Sequence, residues 1–519
     1  MLKKIKIHNY FDYLILIIFS FFINFYYSNI GVLPQDTFAY YDTAYRILDG
    51  DVPFKDYWTV SGPFIDYLQA VIFFIFGVSW KSYIISGSVL NSLTSVIFLY
   101  TIRNFGQSRP YSLFYAICFS VLANPSMGTP FTDHYSTFLS LIGFFLFLIA
   151  LKKEKKVFWF LVPICFFLAF FSKQSPSSYI LLVLLFSTII YIYESKNFFF
   201  IKYYLLSSLF CFLLLIIFFY FNKINFNQFL NQYLLFPQTI ASERIKDYQV
   251  TLNSLLFQFK FIYIYLIFLI LVLYKAYKKN FFTKDYKFIY SLSLILISLT
   301  LIFHQIVTKN FIFIFFLIPM LASLIHINLI NTIKLKNIIV IILISSTFLL
   351  TIKYHIRFNE ERKMLNLENK SLKNSIDAKF LHPSLKGLKW VTSEYYKDPN
   401  LELSLVKESM KIIEQDKSKK MLLSGYLFIS SVTNQNLNNP SRWPSLQDAS
   451  NPNKSNKYYG TYKKFVKDLI ISKSIETLYS TKDNQVDIFV EIFDVNCRKT
   501  KEINDFLIKH DIKNCIKKM

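Results

Sequence analysis

The sequence predicts a polytopic α-helical membrane protein of about 11 spans with a C-terminal extracytoplasmic α/β domain, and three observations carry that prediction. Hydrophobic residues make up 54% of the 519 residues and charged residues only 17%, below the ~25% of ordinary soluble domains. The apolar residues gather in long runs separated by short polar stretches. The net charge of +24 is unevenly placed: residues 1–354 hold 28 basic and 13 acidic side chains, and 355–519 hold 29 and 20. With 58 Phe and 36 Tyr the chain is too apolar for disorder. A mean hydropathy of +0.36 assigns the basic excess to a membrane, with no nucleic acid as partner.

A spanning helix needs ~20 mostly apolar residues. Such runs lie near 12–30, 82–102, 111–124, 134–151, 157–172, 177–193, 203–221, 256–274, 288–304, 310–330 and 337–354. The first follows Lys3, Lys4 and Lys6 without a small-residue cleavage site after it, so it reads as an anchor. The run 63–77 is short and carries Asp66 and Gln69, and it reads as a helix lying along the interface. With the N-terminus inside, the cytoplasmic loops hold 18 of the 28 basic residues and four acids, and the opposite side holds ten and nine. That asymmetry follows the positive-inside rule, and counting 63–77 as a span would invert it. The chain thus divides into a membrane domain, 1–354, whose first outer loop covers 31–80, and an extracytoplasmic domain, 355–519. In the latter, helical patterns at 383–397, 401–416 and 459–473 alternate with β-like runs at 421–429 and 486–492. Cys497 and Cys515 lie outside, where a disulfide and two free thiols both remain open readings.

The carboxylates of the membrane domain are unevenly spread. Six of the 13 (Asp36, Asp42, Asp49, Asp51, Asp56 and Asp66) fall within 31 residues of the first outer loop. They either solvate that loop or mark a functional centre. From Phe38 to Leu48 the apolar positions recur at helical spacing, which predicts an amphipathic helix lying on the membrane. Other polar groups gather on the same side. Asp133 and His134 open a span, where an acid is favourable, and as metal ligands they are only two. Lys173 sits between two spans, either snorkelling or binding an anion. Arg244 follows in the fourth outer loop, and His304, Lys309 and Asn310 can donate to a phosphate. One acidic centre among scattered cations suits transfer from a membrane-embedded anionic lipid. Cations would hold the phosphate leaving group while a carboxylate deprotonates an acceptor hydroxyl or amine.

Four segments carry a further resemblance: Asp36-Thr37-Phe38-Ala39-Tyr40; Ala44-Tyr45-Arg46-Ile47-Leu48-Asp49-Gly50-Asp51-Val52-Pro53-Phe54-Lys55-Asp56; Gly62-Pro63-Phe64-Ile65-Asp66-Tyr67-Leu68; and Leu168-Ala169-Phe170-Phe171-Ser172-Lys173-Gln174. In this order they resemble the GT-C superfamily of polyprenyl-phosphate-sugar-dependent glycosyltransferases, in the branch with protein O-mannosyltransferases and lipid A aminoarabinose transferases. The resemblance spans roughly residues 10–330. It implies an inverting transfer, in a bacterial inner (plasma) membrane, from a polyprenyl-phosphate sugar donor to an extracytoplasmic lipid, glycan or protein acceptor. Asp36 would be the base, with Tyr40, Asp42 and Asp56 supporting the loop or the acceptor. Lys173, Arg244, His304 and Lys309 would bind the lipid phosphate. Some members carry Lys before a Pro-Pro pair where this chain has Ser61-Gly62-Pro63, which shifts that contact to Arg46 or Lys55. Thr37 replaces a frequent Glu, so no metal cofactor is expected at the first loop, and Asp133 and His134 are reserve ligands for a divalent cation. The alternative is a transporter or flippase of lipid-linked saccharides. That reading predicts ionisable residues at mid-helix depth, and the spans are nearly free of them. In the C-terminal domain Trp390, Tyr395, Tyr396 and Trp443 read either as core aromatics or as a saccharide-stacking surface.

Overall fold

In a computed structural model, residues 2–123, 127–246, 251–277, 286–308, 314–329, 335–444, 449–482, 487–493 and 496–516 are described. The membrane part begins with α1 (Leu2–Tyr27), and the first loop then forms α2 (Pro34–Thr37), α3 (Ala39–Leu48) and α4 (Phe64–Phe76). There follow α5 (Trp80–Asn104), α6 (Arg109–Leu122), α7 (Thr132–Lys153), α8 (Lys156–Phe170), α9 (Gln174–Ser195) and α10 (Ile201–Asn222). After the short α11 (Phe226–Phe229) and α12 (Phe236–Lys246) come α13 (Lys260–Tyr277), α14 (Tyr286–Thr308), α15 (Leu317–Asn328) and α16 (Lys336–His355). Among the described residues, each of the 11 apolar runs has a helix as its main part. Among the described residues, seven helices (α1, α5, α7, α9, α10, α14 and α16) are long and apolar enough to cross a membrane.

Packing follows the apolar faces. Helix α7 is buried all round from Thr132 to Leu151 and sits against α5, α8 and α9. Helix α10 keeps only Ser207 and Cys211 buried and exposes a belt of Leu, Ile and Phe, the surface a bilayer would cover. Small polar groups join the inner helices. Asn91 on α5 donates to the Ser20 and Ser120 carbonyls of α1 and α6, as interhelical amides do where no water competes. At the other end of α1, Asp12 pairs with Arg103 and Arg109, two of the cations expected on the cytoplasmic side.

The C-terminal part carries a short antiparallel pair, β1 (Ile376–Asp377) with β2 (Lys389–Trp390). Its main sheet has the order β3-β4-β6-β5. Strand β3 (Lys420–Leu423) runs parallel to β4 (Thr477–Thr481), while β5 (Lys499–Glu502) and β6 (Leu507–Asp511) are antiparallel to their neighbours. The accompanying helices are α17 (Pro399–Gln415), α18 (Ile429–Val432), α19 (Tyr459–Ser472), α20 (Asp487–Ile492) and α21 (Lys513–Ile516). Tyr462, Phe465 and Val466 of α19 share a core with Met421, Leu423 and Leu478. Val406 and Ile413 of α17 join Leu422, Tyr479 and Leu507 in the other. The alternation of inward residues along β3 and β4 thus serves helices on both faces.

Three expectations are corrected. Residues 383–397 form a tight 3-10 turn and β2 instead of a helix, because Pro383 opens the turn and Gly387, at φ +100°, reverses the chain into the strand pair. Within 486–492 the chain is helical over Asp487–Ile492, where Ile488 and Phe489 pack into the α19 core. Helix α3 is present at its expected position, yet it does not lie on a membrane. It is packed between α4 and α18, with Tyr40, Tyr41, Asp42, Thr43 and Arg46 all buried. Of the two cysteine readings the disulfide holds, joining Cys497 to Cys515.

Candidate active site

The first outer loop is held from both sides. Its start runs alongside the C-terminal domain: the Gly31 and Val32 amides donate to the Lys389 and Val391 carbonyls at 3.0 and 2.9 Å. Pro34 then opens α2 and places Asp36 in its single turn, where Leu33 N–H bonds the Thr37 hydroxyl at 2.9 Å. A Cβ on Gly425 would come within 3.1–3.3 Å of Gln35, so the domain closes over α2 at a point only glycine leaves open. On the membrane side Gly62 approaches the α8–α9 junction, where a Cβ would lie 1.9 Å from the Phe171 carbonyl oxygen. The Gly62 and Phe64 amides donate to the Ser172 and Phe171 carbonyls there, and Gln174 donates to the Val60 carbonyl at 2.9 Å. These contacts bring Ser61 and Asp36 to the same cavity as Lys173.

That cavity has a volume of about 250 Å3. Its chemistry-bearing walls are Asp36, Asp133, Lys173, Arg244, His304 and Trp443. Asp133 opens α7 and is buried; it accepts from Lys173 Nζ at 2.7 Å and from His304 Nε2 at 2.7 Å. A carboxylate this deeply placed needs both partners to remain charged. Arg244, near the end of α12, closes another side, and burial lowers its pKa against the pull of Asp133. Burial pushes the Asp36 carboxyl up to about 6, with Asp133 adding to the rise while Trp443 and Lys173 oppose it. A carboxylate poised near neutrality beside cations has the properties of a general base next to an anion site.

A second, apolar groove of about 510 Å3 starts at the same α8–α9 junction. Phe166, Phe170 and Phe171 of α8 and its end, Leu181 and Leu185 of α9, and Phe212 of α10 line it. The groove and the cavity share no lining residue, and Phe171 and Ser177 of the groove bracket Lys173 along the chain.

Sequence-predicted residues divide between this cavity and a different role. Asp36, Lys173, Arg244 and His304 converge on the cavity. Lys309 lies outside the described residues. Arg46 does not border the cavity; it is fully buried in a closed set, on Asp51 at 2.9 Å, the Asn439 carbonyl at 2.7 Å and the Asp56 carbonyl at 3.1 Å, above the Tyr57 ring. Lys55 is exposed and also outside it. Asp42 accepts from Asn439, and Asp56 caps the Val52 amide and pairs with Lys473, which also holds Asp51. Tyr40 reaches Ser61 and lies under the Arg442 guanidinium. His134 points away, its Nε2–H donating to the Ala123 carbonyl 3.1 Å off, so it does not join Asp133 as a ligand pair. No group of three or more metal-ligating side chains occurs among the described residues.

The acid cluster therefore has two meanings. Asp42, Asp51, Asp56 and Asp66 bind the C-terminal domain to the first loop, and Asp36 faces the cavity. The strongest of these links is the fully buried pair of Asp66 and Arg442, with Thr43 on the same carboxylate and Ser61 on the same guanidinium. Trp443, which the sequence offers either as a core aromatic or as part of a saccharide-stacking surface, is a cavity wall, whereas Arg442 escaped the sequence reading because it lies some 400 positions from Asp36 in an Asn- and Ser-rich stretch. The signal present was a Trp beside an Arg among turn residues.

No family model and no curated protein matches the sequence. Among solved structures the chain is similar to ArnT from Cupriavidus metallidurans bound to undecaprenyl phosphate, with a TM-score of 0.51 and 10% identity over 96% of this chain and 97% of that one. At that identity the likeness shows the fold alone, shared over nearly the whole length of both chains.

Proposed function

Taking the ArnT fold as premise, we propose that the chain is a membrane glycosyltransferase that uses a polyprenyl-phosphate-linked sugar as donor and an extracytoplasmic acceptor. One observation carries the reading: Asp36, a carboxyl whose pKa burial raises to about 6, shares a small cavity with Lys173 and Arg244, and a separate apolar groove between α8, α9 and α10 comes to the same α8–α9 junction. A lipid phosphate is an amphiphile with these two halves. Its anionic head fits the cations, and its isoprenoid tail fits the groove and the bilayer beyond. The ArnT structure holds undecaprenyl phosphate, which agrees with a donor of this class.

The chemistry follows from the charges. Lys173 and Arg244 hold the phosphate, and as the sugar–oxygen bond breaks they stabilise the negative charge left on the polyprenyl phosphate. Lys173 is shared with Asp133, which keeps its ammonium aimed at the cavity, and His304 fixes the other oxygen of that carboxylate. Asp36 accepts the proton of the acceptor hydroxyl or amine as the new bond forms at the sugar's anomeric carbon. With base and leaving group on opposite sides of the sugar, the displacement is in line and inverts the anomeric configuration. The topology that goes with it puts the N-terminus in the cytoplasm and the C-terminal domain outside, as the loop charges imply.

The test is release of undecaprenyl phosphate from undecaprenyl-phosphate-linked sugars by the purified protein in lipid nanodiscs containing an envelope extract as acceptor source. The wild type should release it in an acceptor-dependent manner. Absence of release across hexose and pentose donors would overturn the reading.

A further inference from the structure

Trp443 stands apart from the other tryptophans. Trp58, Trp80, Trp159 and Trp390 are buried among core side chains, whereas Trp443 borders the cavity. Its backbone is pinned: the Trp58 amide donates to the Pro440 carbonyl at 2.8 Å, the Arg442 amide donates to the Trp58 carbonyl at 3.2 Å, and Asn451 donates to the Trp443 carbonyl at 3.1 Å. Its ring is pinned as well. The Arg442 guanidinium sits 5.4 Å from the ring centroid, and Tyr40 meets it edge-on at 6.1 Å. Arg442 is itself locked by Asp66, so the indole has a fixed orientation before any ligand arrives. The indole N–H lies beside the Asp36 carboxyl and helps to hold its pKa down.

A rigid aromatic wall next to a base and across from cations has the form of a sugar subsite. The C–H face of a pyranose or furanose ring is apolar and packs on an aromatic plane, while its hydroxyls need donors. Resting on the transferase reading above, we propose that Trp443 contacts the transferred sugar: the sugar ring stacks on the indole, whose N–H stays on Asp36. The C-terminal domain thereby supplies the sugar side of the site, and the membrane helices supply the phosphate side. Trp443 acts as a specificity residue for the ring, with no part in proton transfer.

The experiment separates these two sides by measuring binding of bare undecaprenyl phosphate and of undecaprenyl-phosphate-linked hexoses and pentoses to the full chain in nanodiscs. In the wild type at least one sugar-bearing donor should bind more tightly than the bare lipid phosphate. W443A should lose about tenfold in affinity for that donor, an aromatic-contact loss, and keep its affinity for the bare lipid phosphate within about twofold. W443F retains a ring and should fall between the two. Unchanged donor affinity in W443A, an equal loss of bare undecaprenyl phosphate, or a W443F as weak as W443A would each overturn the sugar contact. A wild type that binds neither ligand would overturn the transferase reading itself and remove the ground for this inference.

Discussion

Replacing Asp36 with Asn isolates the proposed base, and the structure gives the effect two opposite signs. For the chemistry, the variant keeps size and polarity but cannot accept a proton, so transfer should fall by ~10²–10⁴, the range for removing a general base. For the fold, the sign reverses. Burial raises the Asp36 pKa from 3.8 to about 6, so the ionised form is disfavoured in the folded protein. The penalty is absent below the unfolded value, grows as pH rises from 3.8 to about 6, and is constant above that. At ~1.4 kcal/mol per unit the shift corresponds to ~3 kcal/mol, an upper limit because the carboxyl borders a cavity open to water. Asp36→Asn should therefore be more heat-resistant than wild type at pH 8 and indistinguishable from it at pH 4. Wild-type turnover should also decline as pH drops through about 6, and residual turnover of the variant should lack that limb. The assays are donor turnover from pH 5 to 8 and thermal unfolding in detergent at both pH values. Near-normal turnover in the variant, or a loss of heat resistance at pH 8, would refute the reasoning.

Three further outcomes are expected. Arg442→Leu leaves Asp66 as an unpaired buried charge, a loss of ~3–5 kcal/mol, so the variant should unfold at markedly lower temperature; Asp66→Asn in the same chain should recover part of it, and no recovery would contradict the pairing. Arg244→Ala should weaken undecaprenyl phosphate binding more than tenfold, with a smaller salt dependence than wild type, because a desolvated cation–phosphate contact is lost; equal binding would exclude Arg244 from the phosphate site. A maleimide reagent should reach Cys497 and Cys515 in the unfolded protein only after reduction, while Cys118, Cys165 and Cys211 label without it.

The membrane fold was legible because spans are long and the hydropathy signal adds up over each: among the described residues every apolar run is mainly helical. Short elements were less so. Strands β5 and β6 carry Lys and Glu amid few apolar residues, since β5 is the exposed sheet edge, and their pairing is set by partners elsewhere in the chain. In the site, Asp36 and Lys173 stood out because a charged group next to apolar runs has few reasons to be there. Arg46 misled for the same reason: a cation in an acid-rich loop looks available until the structure shows Asp51, Asp56 and Asn439 already around it. The role of Asp42, Asp51 and Asp66 as docking groups was hidden because their partners, Asn439, Lys473 and Arg442, come from the far end of the sequence.

A structure of the protein with undecaprenyl phosphate in nanodiscs is the most direct test that a lipid phosphate sits among the cations of the cavity with its tail in the apolar groove. The account predicts phosphate density between Lys173 and Arg244, within reach of His304, and an isoprenoid tail running between α8, α9 and α10. Lipid bound elsewhere, with that cavity filled only by water, would contradict it.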